Sequence, residues 1–156
     1  MSEIEDRIAI NEMFNRYADA LDRKDWSLFD GFFTDDCLGS FTSQDPKMQP
    51  FEIKGGPALV EFARQMIGSP EIVTQHLMGN FSASIDGDRA TASVRMRNLH
   101  HGVGPREGLS QESIGHFAGR FVRTEEGWRC EWWEEAMYVM LGDPALFAAE
   151  VAAAGD

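Results

Sequence analysis

The sequence predicts an α+β fold, a curved antiparallel sheet shaped like a cone whose mouth is closed by N-terminal helices. Two observations carry this prediction. Apolar residues recur at helical intervals up to about residue 70, and from about residue 72 to residue 141 they alternate as in strands. Helices that precede a run of antiparallel strands are typical of α+β domains. The 156 residues fit one domain, with a short C-terminal helix after the sheet.

The first helix begins with Ser2 and Glu5, which have the spacing of a capping box. Its apolar positions recur at helical intervals and stop near Asp22. A second, short helix is predicted over residues 26 to 33, where Trp and Phe repeat the helical spacing before TDD breaks it.

The segment that follows links the helical part to the sheet. CLGSF fits a short strand, and the polar, proline-containing SQDPKMQPFEIKG predicts a surface loop that forms a lid or rim. Gly56 and Pro57 then open a third helix, which ends at GSP, residues 68 to 70.

Two hairpins form the predicted sheet. Residues 74 to 85 and 89 to 100 flank the turn sequence DGD, and residues 112 to 123 and 128 to 140 flank TEEG. The Ala-rich PALFAAEVAAA begins with Pro144 and predicts the terminal helix.

The formal net charge of −12 argues against nucleic acid and membrane partners, because phosphates and anionic lipids would be repelled. No apolar run reaches the roughly 20 residues needed to span a bilayer. The segment MSEIEDRIAINEMF is acidic where a secretory signal is basic, so we expect a cytoplasmic protein. Cys37 and Cys130 are too few and too far apart for a disulfide framework or a zinc site.

The stretch TQHLMGN contains the first candidate acid-base residue, His76. Strand alternation puts the residues of this strand on two faces, one with His76, Met78, Asn80, Ser82 and Ser84, the other with Leu77, Phe81, Ala83 and Ile85. The same alternation assigns His100 and Asn98 to the apolar face of the next strand and His101 to its polar face. Taken alone, each histidine is more often a hydrogen-bonded structural residue than a catalyst.

Asp22 is the candidate partner of a histidine. A carboxylate at the end of a helix opposes the helix dipole, which hints at another use for it. A carboxylate beside an imidazole fixes its tautomer and raises its basicity, and the pair then abstracts protons near neutral pH. Spacing in the sequence does not establish whether Asp22 meets a histidine.

Other chemistries have less support in the sequence. The histidines lack the spacing of metal ligands, so no metal is predicted, and no glycine-rich phosphate loop indicates a cofactor. The acidic residues of the last strand, Glu131, Glu134 and Glu135, are interpreted as a solvated or interfacial face.

Four segments in order resemble the SnoaL-like branch of the nuclear transport factor 2 superfamily, which has a cystatin-like fold. RYADALDRKDW resembles the segment with that family's aspartate, TQHLMGN its first histidine strand, and NLHH the end of its second. TEEGWRCEWW is similar to the closing hairpin. The resemblance covers nearly the whole chain and includes scytalone dehydratase and hexachlorocyclohexane dehydrochlorinase among the relatives.

The resemblance implies a cone with a deep pocket and neither a metal nor an organic cofactor. It also implies that Asp22 pairs with His100, as in scytalone dehydratase, or with His76, as in the dehydrochlorinase. Asn98 is an expected substrate contact. Three further expected pocket residues, Leu21, Phe41 and Phe117, are apolar where the dehydratase has polar groups, so scytalone itself is not the expected substrate.

The leading hypothesis is therefore a cofactor-independent lyase or isomerase for a small hydrophobic ring compound, with Asp22, His76 and His100 as catalytic residues. One histidine acts as base, oriented by Asp22, and the other as acid. The alternatives are a non-catalytic ligand-binding or assembly module of the same fold and a polyketide cyclase. A homo-oligomer, dimer or trimer, is expected because the outer face of such a sheet needs covering.

Overall fold

The computed structural model describes residues 2–148 and contains two α-helices and one six-stranded sheet. The strands follow the order β2-β1-β6-β5-β4-β3, and every neighbouring pair is antiparallel except β1 and β6, which are parallel. The curved, open sheet confirms the predicted fold class. The elements are α1 (Glu3–Arg23), β1 (Phe33–Ser43), β2 (Phe51–Lys54), α2 (Gly56–Ile67), β3 (Ile72–Asp86), β4 (Arg89–Gly102), β5 (Ser110–Thr124) and β6 (Gly127–Gly142).

Helix α1 begins as the sequence predicts. The Ser2 side chain accepts from the Glu5 backbone, and the Glu5 side chain accepts from the Ser2 backbone, which completes the capping box. The helix lies on β3, where the Arg7 side chain donates to the Ala83 carbonyl oxygen at 2.7 Å. Lys24 ends the helix in the left-handed conformation, with φ 57°.

The second predicted helix is shorter than expected. A 3-10 helix covers Trp26–Phe29, and β1 already begins at Phe33, so the TDD sequence lies inside a strand. The helical spacing of the aromatic residues reflects packing instead, because Phe29 stacks on Phe33 at 5.8 Å between ring centroids. Gly31, with φ 67°, separates the 3-10 helix from the strand.

Part of the predicted surface loop is also a strand. Phe51–Lys54 pairs with β1, so that Phe51 lies opposite Phe41 and their rings stack 4.8 Å apart. The loop therefore covers only residues 44 to 50. Helix α2 begins and ends where the sequence predicts.

A bulge in β3 corrects the predicted alternation. Pairing with β4 is interrupted between Gly79 and Ser82, and Asn80 has a left-handed φ of 53°. His76 and Phe81 therefore face the same interior, although simple alternation separates them. Leu77 is 55% exposed on the outer face. The alternation predicted for β4 is correct along the whole strand, because its pairing is uninterrupted.

The two predicted hairpins are confirmed, each strand being one or two residues longer at its ends. The predicted C-terminal helix starts as a 3-10 helix, Pro144–Phe147, and its remainder lies outside the described residues. Within residues 2–148, none of the helices combines the length and apolar character needed to cross a bilayer.

Candidate functional site

The candidate site lies where two rows of residues cross the sheet side by side. His76 of β3 lies opposite Asn98 of β4, and Asn98 lies opposite Ser113 of β5. Two residues along the strands, Thr74 lies opposite His100, which in turn lies opposite Gln111. Positions two apart share a face, so all six side chains face the interior, and all six are buried.

Asp22 and His76 form a tight pair. His76 Nδ1 lies 2.6 Å from Asp22 Oδ1, and the His76 backbone N–H donates to Asp22 Oδ2 at 2.9 Å. The two bonds hold both carboxylate oxygens against one residue of β3. They orient the imidazole and leave Nε2 as its reactive nitrogen. Of the two expected pairings, the structure contains Asp22 with His76.

Thr74 and Lys24 support the pair, and sequence reasoning did not single them out. The Thr74 hydroxyl lies 3.0 Å from Asp22 Oδ1, and Lys24 Nζ donates to Thr74 Oγ1 at 3.0 Å and to the Leu21 carbonyl oxygen at 3.1 Å. The left-handed backbone of Lys24 turns its side chain back toward the helix end. The available signal in the sequence was proximity, because Lys24 follows Asp22 by two positions and Thr74 precedes His76 by two positions.

The charge state of Asp22 follows from these bonds. Burial raises the pKa of Asp22. The hydrogen bonds from the ring and backbone of His76, the charge of His76 and the Thr74 hydroxyl group lower this pKa, and their combined effect is larger than that of burial. The net pKa is below the usual value. Asp22 is therefore ionised at neutral pH, as an orienting carboxylate requires.

His100 lies beside His76 but is not bonded to Asp22. The two rings meet edge to face with centroids 5.4 Å apart, and His100 Nδ1 lies 3.1 Å from Gln111 Oε1. Burial, and then the charge of His76, lowers the pKa of His100 to about 4 against a smaller opposing effect of the Gln111 hydrogen bond. His100 is therefore a neutral imidazole near pH 7.

Both histidines line a cavity of about 520 Å³ between the sheet, α1 and α2. Its wall is mostly apolar, and Leu21 and Phe41 are part of it, as expected. This volume suits a small ring compound, since ligand sites of this kind are concave and largely apolar.

Two expected substrate contacts lie behind the cavity wall. Asn98 is 1% exposed, and its Nδ2 contacts Met96 Sδ at 2.9 Å. Phe117 is 1% exposed and packs between Tyr17 and Trp133, with ring centroids 5.3 Å from each. Neither is among the residues that line the cavity.

Glu135 does line the cavity, contrary to the interpretation of the last-strand glutamates as one outer face. The pairing of β6 with β5 is irregular between Cys130 and Trp132, and this irregularity shifts the alternation of β6 by one residue. Glu131 bonds Arg89 and Glu134 bonds His116 on the outer face, whereas Glu135 faces inward. Across residues 2–148, no group of three or more histidine, cysteine or acidic side chains is arranged to hold a metal ion.

Several known proteins resemble the chain in sequence or in fold. The uncharacterized protein Rv2910c of Mycobacterium tuberculosis (strain ATCC 25618 / H37Rv) is 28% identical over 135 residues, 83% of each chain. A proposed scytalone dehydratase from Novosphingobium aromaticivorans DSM 12444 has a TM-score of 0.71 at 20% identity, over 85% of this chain and 84% of its own. A hexachlorocyclohexane dehydrochlorinase (LinA) of type 2 has a TM-score of 0.72 at 15% identity, over 94% and 95%.

The family profile for the SnoaL-like domain matches residues 2–134, which include both helices, five complete strands and the Asp22–His76 pair. The match extends over most of the chain, in agreement with the observed order of helices and strands. The chain therefore belongs to the family of SnoaL-like domains.

Proposed function

We propose that the protein is a cofactor-independent lyase or isomerase that acts on a small hydrophobic ring compound by histidine–aspartate catalysis. The observation that supports this most is the 2.6 Å contact between His76 Nδ1 and Asp22 Oδ1 at the wall of an apolar cavity. The SnoaL-like family match and the likeness to a dehydrochlorinase and a proposed scytalone dehydratase agree with this reaction class.

His76 is the general base in this mechanism. Because its Nδ1 proton is donated to Asp22, Nε2 carries the lone pair that removes a proton from a carbon next to a carbonyl group. The electron pair left on that carbon forms a double bond, and a leaving group departs from the neighbouring carbon. In an isomerisation, the proton returns to a different carbon instead. Asp22 stabilises the imidazolium in both cases.

His100 binds substrate and does not supply the proton, in contrast to the acid role expected from the sequence. Its pKa of about 4 makes its imidazolium scarce at neutral pH. With Nδ1 donating to Gln111 Oε1, its Nε2 accepts a hydrogen bond from a substrate hydroxyl group. The His76 imidazolium then returns its proton to the departing hydroxide, which leaves as water.

A ring ketone with a hydroxyl group on its β carbon tests this proposal. 3-Hydroxy-1-tetralone loses one water molecule to give 1-naphthol, whose absorbance reports turnover. Asp22→Asn and His76→Gln should each lower the rate about 100-fold or more, because general acid-base catalysis contributes at least that much. Equal turnover in wild type and both variants would refute the mechanism. Binding of the ketone without turnover in wild type would favour the ligand-binding module.

The chain also provides a matched control. His116 Nε2 and Glu134 Oε2 lie 2.9 Å apart and form a second carboxylate–histidine pair on the outer face of the sheet. His116 Nδ1 is bonded to the Tyr138 hydroxyl at 2.6 Å. His116→Gln removes a similarly bonded imidazole outside the cavity and should leave turnover at the wild-type rate.

We further propose a homo-oligomer formed through the outer face of the sheet. One row across this face consists of Leu77, Arg97, Ile114 and Val139, and its three apolar side chains are 55%, 36% and 44% exposed. Leu99, which is 43% exposed, lies in the adjacent row. These apolar side chains flank the Arg97–Glu112 ion pair, and a second copy of the chain would cover them. The cytoplasmic location stays a prediction from the charge pattern.

A further inference from the structure

Glu135 is an acidic residue without a partner inside the cavity. On β6 it lies opposite Phe41 of β1 and Phe117 of β5, so both neighbouring strands present an aromatic ring. Among residues 2–148, no side chain or backbone group forms a hydrogen bond or ion pair with its carboxyl group, and burial alone accounts for its altered acidity. An acid in such surroundings needs a partner, and the cavity is where a ligand would provide one.

Two further polar groups lie close to Glu135. The Trp133 indole nitrogen is buried and faces the Tyr17 hydroxyl group. Trp133 packs on Tyr17 with ring centroids 4.4 Å apart, and both residues line the cavity. Glu135 is near enough to Tyr17 for its charge to raise the pKa of that hydroxyl, in addition to the larger effect of burial. An indole N–H can only donate, so the Tyr17 oxygen is the acceptor in this contact and the Tyr17 O–H acts as a donor.

We propose that Glu135 is a second substrate-binding residue, whose carboxyl group donates a hydrogen bond to a carbonyl oxygen of the ligand. Tyr17 belongs to the same subsite, and its hydroxyl group provides a second donor for an oxygen acceptor. The inference rests on the proposed ring-compound substrate and narrows it to a ring compound with a second carbonyl group at this end, in addition to the one beside the carbon that His76 deprotonates.

The second subsite is separate from the histidines. Ser113 lies in the row of His76, whereas Phe117 lies in the row of Glu135. Ser113 and Phe117 are four residues apart on β5. Four residues of strand span about 13 Å. A ligand that fills the cavity therefore meets the two histidines at one end and Glu135 at the other, which suits a fused-ring compound better than a single ring.

Protonation of Glu135 agrees with a donor role. Burial raises its pKa to about 7, so the neutral carboxyl group is abundant below that pH. The other titratable groups that line the cavity are Tyr17, Asp45, His76 and His100. Phe41 and Phe117 on the adjacent strands are uncharged, as are the α2 residues that line the cavity.

Calorimetric titration with 1-tetralone and with tetralin, its analogue without the carbonyl group, tests the proposal. The quantity of interest is the ratio of the two Kd values at pH 5.5 and at pH 8.5. Wild type should prefer the ketone by about three- to tenfold more at pH 5.5 than at pH 8.5, because only the neutral carboxyl group donates. Glu135→Gln, whose amide donates at every pH, should keep the preference at both. Glu135→Met should lack it at both.

Controls assign the effect to Glu135. Glu134→Gln removes the neighbouring acid on the outer face and should behave as wild type. His76→Gln should retain the pH-dependent preference, which assigns the preference to Glu135 and not to the Asp22–His76 pair. Three results would overturn the proposal. Glu135→Met could show the same preference as wild type, Glu135→Gln could show a pH-dependent preference, or neither compound could bind. Since these measurements read affinity, they stay independent of turnover in the Asp22 and His76 variants.

Discussion

Replacement of Glu135 by glutamine should stabilise the protein at alkaline pH and leave its stability unchanged in acid. The folded protein raises the pKa of Glu135 from 4.5 to about 7 by burial. Between these values the folded state holds a proton that the unfolded chain has released. Stability from the neutral carboxyl group is therefore complete below pH 4.5 and is lost as the pH rises through 7.

The magnitude follows from the two pKa values. Their separation corresponds to at most about 3 kcal/mol of unfolding free energy that wild type loses by pH 8.5, and contact of the half-buried side chain with water in the cavity reduces this figure. Glutamine has nearly the same shape as the neutral acid and does not ionise. Glu135→Gln should therefore match wild type at pH 4.5 and exceed its unfolding free energy by about 2–3 kcal/mol at pH 8.5.

Urea denaturation of both proteins at the two pH values, followed by tryptophan fluorescence, measures this difference. His100 also titrates, but it contributes equally to both proteins and cancels in the comparison. Glu134→Gln, on the outer face, serves as the control and should track wild type at each pH. A difference between Glu135→Gln and wild type that is the same at pH 4.5 and pH 8.5 would refute the reasoning.

Three further results are expected. The folded state lowers the pKa of His100 from 6.5 to about 4, so wild type should lose roughly 2–3 kcal/mol of unfolding free energy as the pH falls from 6.5 to 4. His100→Gln should lose less in urea titrations. Equal acid sensitivity of the two proteins would contradict this prediction. Asn80→Val should lower the free energy of unfolding by about 1–2 kcal/mol, whereas Asn80→Gly should change it little, because φ is 53° at this bulge. Thermal unfolding measures both variants, and equal losses of stability would argue against backbone strain at Asn80. Leu77→Lys combined with Ile114→Lys should reduce the mass in light scattering to that of the monomer, and an unchanged mass would exclude this patch as the interface.

The sequence predicted most of the elements because their signals are local. Capping residues, turn residues and alternation marked α1, α2 and the two hairpins within a few residues of their observed ends. The errors occur where the chain departs from regular repeats. The bulge at Asn80 exchanges the faces of β3, and Phe29 and Phe33 repeat at helical spacing although they belong to different elements.

The candidate site was predicted in part, for a related reason. Strand alternation and the end of the first helix indicated Asp22, His76 and His100 as candidates, but neither these patterns nor the resemblance to SnoaL-like proteins chose the pairing, because the contact joins elements more than 50 residues apart and the relatives pair the aspartate differently. Glu135 was missed because irregular pairing in β6 turns it inward, while Glu134 beside it faces outward. Simple alternation predicts neither the Asp22–His76 pairing nor the inward orientation of Glu135.

The central claim, that Asp22 and His76 remove a proton next to a carbonyl group, can be tested without knowing the natural substrate. NMR spectroscopy in D₂O measures exchange of the C2 hydrogens of 1-tetralone for deuterium. Wild type and His116→Gln should accelerate the exchange equally, and Asp22→Asn and His76→Gln should lower the enzymatic rate about 100-fold or more. Exchange in His76→Gln at the wild-type rate would contradict the assignment of His76 as the base.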